Sequence, residues 1–330
     1  MKKILVTGGA GYVGSILVPK LLKANYEVVV IDTLYFTDIG LAEVKSHPHL
    51  KLTQGDIRNP EIVKNSLKGV NCVIHLASIS NDPSSDLDPG LTQEVNYEAT
   101  LQLVKFAKES GAERFINVST SSVYGIKDSP NVTEDLPLEP LTIYSKTKAQ
   151  AEPIVQSYNS PGFTTVNMRP ATVCGYSPKM RLDLTVNILT MHALTKGKIT
   201  VFGGAQKRPN IHIEDITDYY VKLIEIPKDK IAGNTFNAGY ENHSVLQIAE
   251  MVKKIISNNV QIEVVPTNDN RSYHISSAKI EKLLGLKPSH TIQDAVLDIK
   301  TAHEEGKMDW DNINFYNVKK MKSIVNSAKS

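Results

Sequence analysis

Cysteine is nearly absent from this chain, with two thiols, Cys72 and Cys174, in 330 residues. Both lie in apolar, strand-like runs and form no CxxC or Cys/His spacing. That excludes a disulfide scaffold, argues against zinc or any other metal centre, and fits reduced thiols in a cytoplasmic protein. No charge of one sign dominates either, since 37 lysines and arginines nearly balance 35 aspartates and glutamates. Without a basic stripe or an aromatic platform there is no footprint for nucleic acid, and without an excess of charge none for an acidic membrane surface. Any phosphate recognition has to be local. No apolar run reaches the ~20 residues of a membrane span, and a strand-like run begins at about Lys3, leaving no room for a signal peptide. Internal repeats and low-complexity tracts are also missing.

What is present is an alternation of short β-branched runs with helix-length amphipathic segments, the pattern of a parallel sheet covered on both faces. Six runs read as strands: 4–6, 27–31, 50–54, 72–76, 114–119 and 164–170. Asn59-Pro60-Glu61 reads as a helix start, with an Asn cap, Pro at the first helical position and an acid in the first turn. Ser78 to Gly90 reads as a loop following a strand, where open α/β sheets bind ligands. Pro19 falls inside the helix expected after the first strand and predicts a kink. After Pro170 the rhythm becomes irregular. Helices are expected near Leu184 to Leu194, from Ser244 and near Ser277 to Leu284, in a smaller domain interleaved with the first.

The first strand runs into TGGAGYVG. Gly9, Gly11 and Gly14 satisfy G-x-G-x-x-G, and Gly8, Gly11 and Gly14 the wider G-x-x-G-x-x-G. Either spacing sets backbone N–H groups and a helix N-terminus against a diphosphate. A second strand ends at Asp32, where a carboxylate can accept both ribose hydroxyls and repel a 2′-phosphate, so NAD is favoured over NADP. Asp56, after the third strand, can accept from the adenine amino group or cap the helix beginning at Pro60. Tyr144 and Lys148 stand four apart, on one face if helical, and a cation beside a phenol lowers a pKa of ~10 toward the range of a general base. Tyr316 and Lys320 repeat the spacing in a basic tail with no such context.

With TGGAGYVG, Asp32, GDIRN, HLAS, VNYEAT, STSSVYG and YSKTK in this order, the chain resembles the extended short-chain dehydrogenase/reductase family from Met1 to about residue 290. More narrowly, it resembles the NAD-dependent nucleotide-sugar epimerases and dehydratases. The resemblance implies a Rossmann-type doubly wound parallel sheet in residues 1–172, with a return segment near 208–238, and a smaller mixed α/β substrate-binding domain in most of 173–330. It implies a catalytic set of Thr120, Tyr144 and Lys148, where the simpler alternatives are a strand-end cap for Thr120 and a half-buried helix aromatic for Tyr144. Cofactor contacts are implied for Gly8, Gly11, Tyr12, Val13 and Gly14, for Asp32, Asp56 and Ile57, and for Leu76, Ala77 and Asn96, besides Tyr144 and Lys148.

Substrate contacts follow from the same resemblance. Arg208 and Arg271 match stretches whose arginines hold a substrate diphosphate, the alternative being solvated surface arginines. SPKMRLDLTVN resembles a segment of enzymes acting on activated deoxy-sugars or heptoses, which makes Arg181 and Asn187 candidates, against helix-surface or capping roles. Dehydratases of the family carry an Asp-Glu pair after the catalytic Thr. Ser121 and Ser122 stand there, which disfavours elimination and leaves oxidation at C4 with epimerisation as the expected activity. Net 4-dehydrogenation or 4-keto reduction and a non-catalytic NAD-sensing module are the alternatives. Cys174 and His192 could form a second acid/base pair, or be core filler and an ordinary helix residue. A homodimer built on the helices near Asn96 to Ser110 and Tyr144 to Tyr158 is implied by analogy.

Overall fold

In the computed structural model, all residues are described except Asp128, Pro130, 268–271, Tyr273 and Ser330, together with the side chains of Ala328 and Lys329. Arg271 therefore lies outside the described residues.

Seven parallel strands make one sheet. The six expected ones are β1 Lys3–Thr7, β2 Glu27–Asp32, β3 Leu50–Gln54, β4 Cys72–His75, β5 Arg114–Val118 and β6 Thr164–Pro170. Two short elements follow, β7 Thr172–Cys174 and β8 Lys198–Phe202, then β9 Lys207–His212, β10 Asn234–Ala238, β11 Glu241–Ser244 and β12 Gln261–Val265. The large sheet runs β10-β6-β5-β4-β1-β2-β3, and its order reverses between β1 and β4, the switch point where such sheets bind ligands. Neighbouring residues of one strand feed opposite cores. Ile4, Val6, Val28 and Val30 pack on one face of the sheet, and Leu5, Val29 and Ile31 on the other. That two-sided burial is why these runs are continuously apolar rather than alternating.

β7, β9 and β11 form a second small sheet, and β8 and β12 a third, around a separate core containing Val186, Leu189, Ile199, Val201 and Ile248. The C-terminal helix Asn317–Lys329 instead packs Met321 and Val325 into the core that holds Ile31 and Ile57.

Local expectations fare unevenly. Asn59 caps the helix Pro60–Ser66, its side chain accepting from Glu61 N at 2.9 Å. Pro19 sits inside the helix Gly14–Lys23, which continues past it for four residues as one element despite the missing N–H. The segment expected as a loop, Ser78 to Gly90, contains the short helix Asp82–Ser85, started by the Asn81 side chain accepting from Ser84 N at 2.9 Å.

Candidate active site

At the carboxyl ends of the central strands lies a cavity of about 490 Å³, within the ordinary range of ligand sites. Its wall begins at the glycine turn. Gly8 has a positive φ of 71°, and a Cβ there would stand 2.8 Å from the Ala77 backbone, so only glycine lets β1 and the end of β4 come this close. Asp32 closes β2 beside it, accepting from Ala10 N at 3.0 Å and Leu34 N at 2.9 Å. Burial raises its carboxyl above the usual range, offset by those two N–H groups and by the charge of Lys179.

Gly8, Gly11, Tyr12, Val13 and Gly14 all line the cavity, as do Asp32, Asp56, Ile57, Leu76 and Ala77. Asp56 does not cap the helix at Pro60, because Asn59 does. Its carboxylate instead holds Arg58, with Arg58 N at 2.8 Å and the guanidinium from 2.8 Å. Tyr12 is 4% exposed, and its hydroxyl donates to Gly175 O at 2.7 Å and ties the glycine turn to the segment after β7. These residues fit a dinucleotide: an open helix N-terminus, a carboxylate at the end of β2 and a glycine seam that leaves the backbone approachable.

Asn96 stands behind the wall rather than on it. It does not line the cavity, and its fully buried amide accepts from Ile79 N at 2.8 Å and donates to Ile79 O at 3.0 Å. It holds the cavity wall from behind.

At the other end, Thr120, Tyr144 and Lys148 share the same wall. The helix Ile143–Ser157 carries the last two and begins with a capping box, the Thr142 hydroxyl accepting from Ser145 N at 3.3 Å and the Ser145 hydroxyl accepting from Thr142 N at 3.1 Å. The Lys148 ammonium donates to Val118 O, the last residue of β5, at 2.9 Å. Burial lowers its pKa to about 8, against the opposing pull of Glu152 one turn on. Thr120 is also a cap, accepting from Ser122 N at 3.2 Å to start the turn Ser121–Tyr124, so the capping and cavity roles coexist. Below them His75 is buried between Thr7 at 2.7 Å and Thr100 at 2.8 Å, and burial, then the charge of Lys148, depress it to about 3. It is a neutral strut.

Arg181 and Arg208 also line the cavity. Burial opposes the Arg181 charge, but Asp183 sustains it, with Oδ2 at 2.5 Å from the guanidinium. Asn81 donates to the same carboxylate from a backbone with φ of 70°, a conformation that side chains other than glycine rarely adopt. Asn187 lies behind the wall, its buried amide accepting from Gly175 N and donating to Tyr12 and to Arg181 O, all at 3.1 Å. Cys174 and His192 are outside the wall too. The thiol points at Ile211 O inside the core around Val186 and Ile248, where burial raises its pKa and keeps it off the cavity wall. Tyr316 donates to Trp310 O at 2.7 Å and Lys320 is half-buried, and neither lines the cavity, although Asn317 and Val318 between them do. Residues that the sequence did not single out also reach the wall: Asp183, Lys179, Tyr220 and, from the C-terminal helix, Asn317.

A glycine turn, a carboxylate closing the second strand and a Tyr/Lys pair in one cavity define a dinucleotide-dependent enzyme of the short-chain dehydrogenase type. The chain belongs to the NAD dependent epimerase/dehydratase family, whose model matches residues 4–239, and NAD is its cofactor. It is 28% identical to a UDP-glucose 4-epimerase of Lactobacillus helveticus, over 89% of this chain and 94% of that protein. It is 30% identical to UDP-glucuronic acid decarboxylase 1 of Arabidopsis thaliana, over 89% of this chain and 68% of the other. Among solved structures, UDP-glucuronic acid 4-epimerase from Bacillus cereus, in complex with UDP-glucuronic acid and NAD, superposes with a TM-score of 0.83 at 30% identity. That match covers 92% of this chain and 99% of that one.

Proposed function

We propose that this enzyme epimerises a nucleotide-activated sugar at C4. The observation that carries the reading is the meeting of Thr120, Tyr144 and Lys148 with the glycine turn and Asp32 around one cavity whose far end holds Arg181 and Arg208. NAD, when bound, supplies a reversible hydride acceptor. Tyr144 takes the proton of the C4 hydroxyl and later returns it, and Lys148 provides the positive charge that favours the phenolate. Thr120 holds the reacting oxygen by hydrogen bonding, and Arg181 and Arg208 supply the charge that a diphosphate needs. Ser121 and Ser122 carry no proton-transferring carboxyl, which supports epimerisation over elimination. The UDP-sugar epimerases among its relatives support the same substrate class.

The test is incubation with a panel of UDP-, GDP-, CDP- and dTDP-sugars in D2O followed by mass analysis. A new isomer of unchanged mass is expected. Deuterium gain would indicate enolisation, and loss of two hydrogens net oxidation, either of which sinks the proposal.

The same reading makes residues 1–172 with the 208–238 return the cofactor half, and the rest mainly the substrate half. It also makes the protein a cytoplasmic homodimer. Supporting the dimer, Leu101, Phe106 and Ile154 stay partly exposed on the two helices that resemble the family's dimer face. Light scattering at the mass of a dimer is the expected result, and a monomer would remove this part.

A further inference from the structure

We infer that Lys179 is a cofactor-binding residue that grips the dinucleotide's diphosphate from the side facing the glycine turn, with Asn317 of the C-terminal helix steadying it. Lys179 is 2% exposed and lines the cavity. Its segment is pinned over the start of the helix Gly14–Lys23, where Ser177 Oγ meets Ser15 Oγ at 2.5 Å and donates to Tyr12 O at 2.9 Å. A Cβ on Gly40 would stand 2.7 Å from Ser15 Cβ and 3.2 Å from Lys179 Cβ, so the Lys179 backbone sits against the helix end that receives phosphate. From there Nζ lies 4.3 Å from the Phe36 ring centre and donates to Asn317 Oδ1 at 3.1 Å. Among the described residues that is its one hydrogen bond, and no carboxylate is within ion-pair distance. A buried ammonium with donors to spare calls for an anion, and the anion that belongs at this helix end is a diphosphate.

The charges facing Lys179 are Asp32 at the end of β2, and Arg181 and Asp183 on its own segment, while the C-terminal helix contributes the neutral Asn317. Burial first, then Arg181, lower the ammonium to about 7 against the pull of Asp183 and Asp32. A diphosphate alongside raises it again, so binding near neutral pH takes up a proton.

The inference rests on NAD occupying this cavity, and one titration separates the two. The full chain, freed of nucleotide, is titrated calorimetrically with NAD at about pH 8 in two buffers of different ionisation enthalpy. Wild type should take up close to one proton, and close to none at about pH 6, where Lys179 is already charged. ADP-ribose should match NAD, and adenosine should show no uptake. Lys179→Met should bind NAD about tenfold or more weakly without uptake, and Lys179→Arg should keep affinity but lose the uptake. Thermal unfolding checks that both variants fold. Tight NAD binding without proton uptake in wild type, or uptake that survives in Lys179→Met, overturns the assignment. Failure of NAD to bind at all overturns the cofactor reading with it.

Discussion

Lys148 stands one turn after Tyr144 and one turn before Glu152, so a single helix face carries the phenol, the cation and the carboxylate that moderates the cation. Glu152 is itself engaged by Arg169, at 2.6 and 3.0 Å, which leaves it a weak partner for Lys148. With Lys148 near 8 in the free protein, its charge is complete well below that pH and lost above it. Turnover should therefore fall as pH rises through about 8, and Lys148→Met should lower turnover and remove that limb from the pH profile. Tyr144→Phe should cost about 10²- to 10⁴-fold or more in turnover while NAD still binds, checked by single-turnover kinetics and NAD titration. Undiminished turnover would remove Tyr144 from the chemistry. At this scale the sequence was legible where the backbone or a helical period fixes the place: the glycine turn, Asp32, and Tyr144 with Lys148 all stand on the cavity wall. It did not reveal that the amides of Asn96 and Asn187 are engaged behind the wall, Asn96 by the Ile79 backbone and Asn187 by Tyr12, Gly175 and Arg181. It was silent on Lys179, whose significance comes from Ser15, Phe36 and Asn317, remote in sequence.

The helix Ile143–Ser157 is set by its first turn, and Thr142 does two jobs there. It caps the helix, and its hydroxyl donates to Asp82 at 2.6 Å, clasping the segment that walls the substrate end. Thr142→Ala should cost about 1 kcal/mol of stability by loss of the cap and raise KM through the loosened clasp. Urea unfolding and steady-state kinetics read the two effects, and an unchanged KM would leave Thr142 a cap alone. Five of the six expected strands are buried on both faces along most of their length, which made their apolar or β-branched runs readable, while β3 is only half-buried. β10 was not read as a strand, since NTFNA interrupts its apolar residues with asparagine and threonine. Asn237 is nevertheless fully buried there, accepting from the Tyr124 hydroxyl at 2.7 Å and donating to Val132 O at 3.1 Å. Its partners come from a distant loop, which no local pattern reveals.

For the molecule as a whole, Lys148 and Lys179 set a pH dependence of stability. Both ammonium groups keep their protons in the unfolded chain to about pH 10 but lose them in the fold near 8 and 7. Between those limits the unfolded state binds more protons, so stability of the nucleotide-free protein should rise from pH 7 to about 8.5, by roughly 1–2 kcal/mol per pH unit. Higher up, the buried thiols of Cys72 and Cys174 reverse the slope, because burial keeps them protonated while the unfolded chain loses its thiol protons. Urea unfolding at the two pH values checks the sign, and a falling stability would contradict it.

The position of β10 at the edge of the sheet, beyond β6, also sets a timetable for birth on the ribosome. β6 emerges with its outer edge bare, and its partner follows only after Ala171 to Gly233 has been synthesised, several seconds later at about 5–20 residues per second. Throughout that interval a row of unpaired backbone groups, on a strand that the finished sheet buries, is open to other nascent chains. Slowed translation across this stretch should therefore lower the soluble yield of the protein without changing any property of the finished molecule.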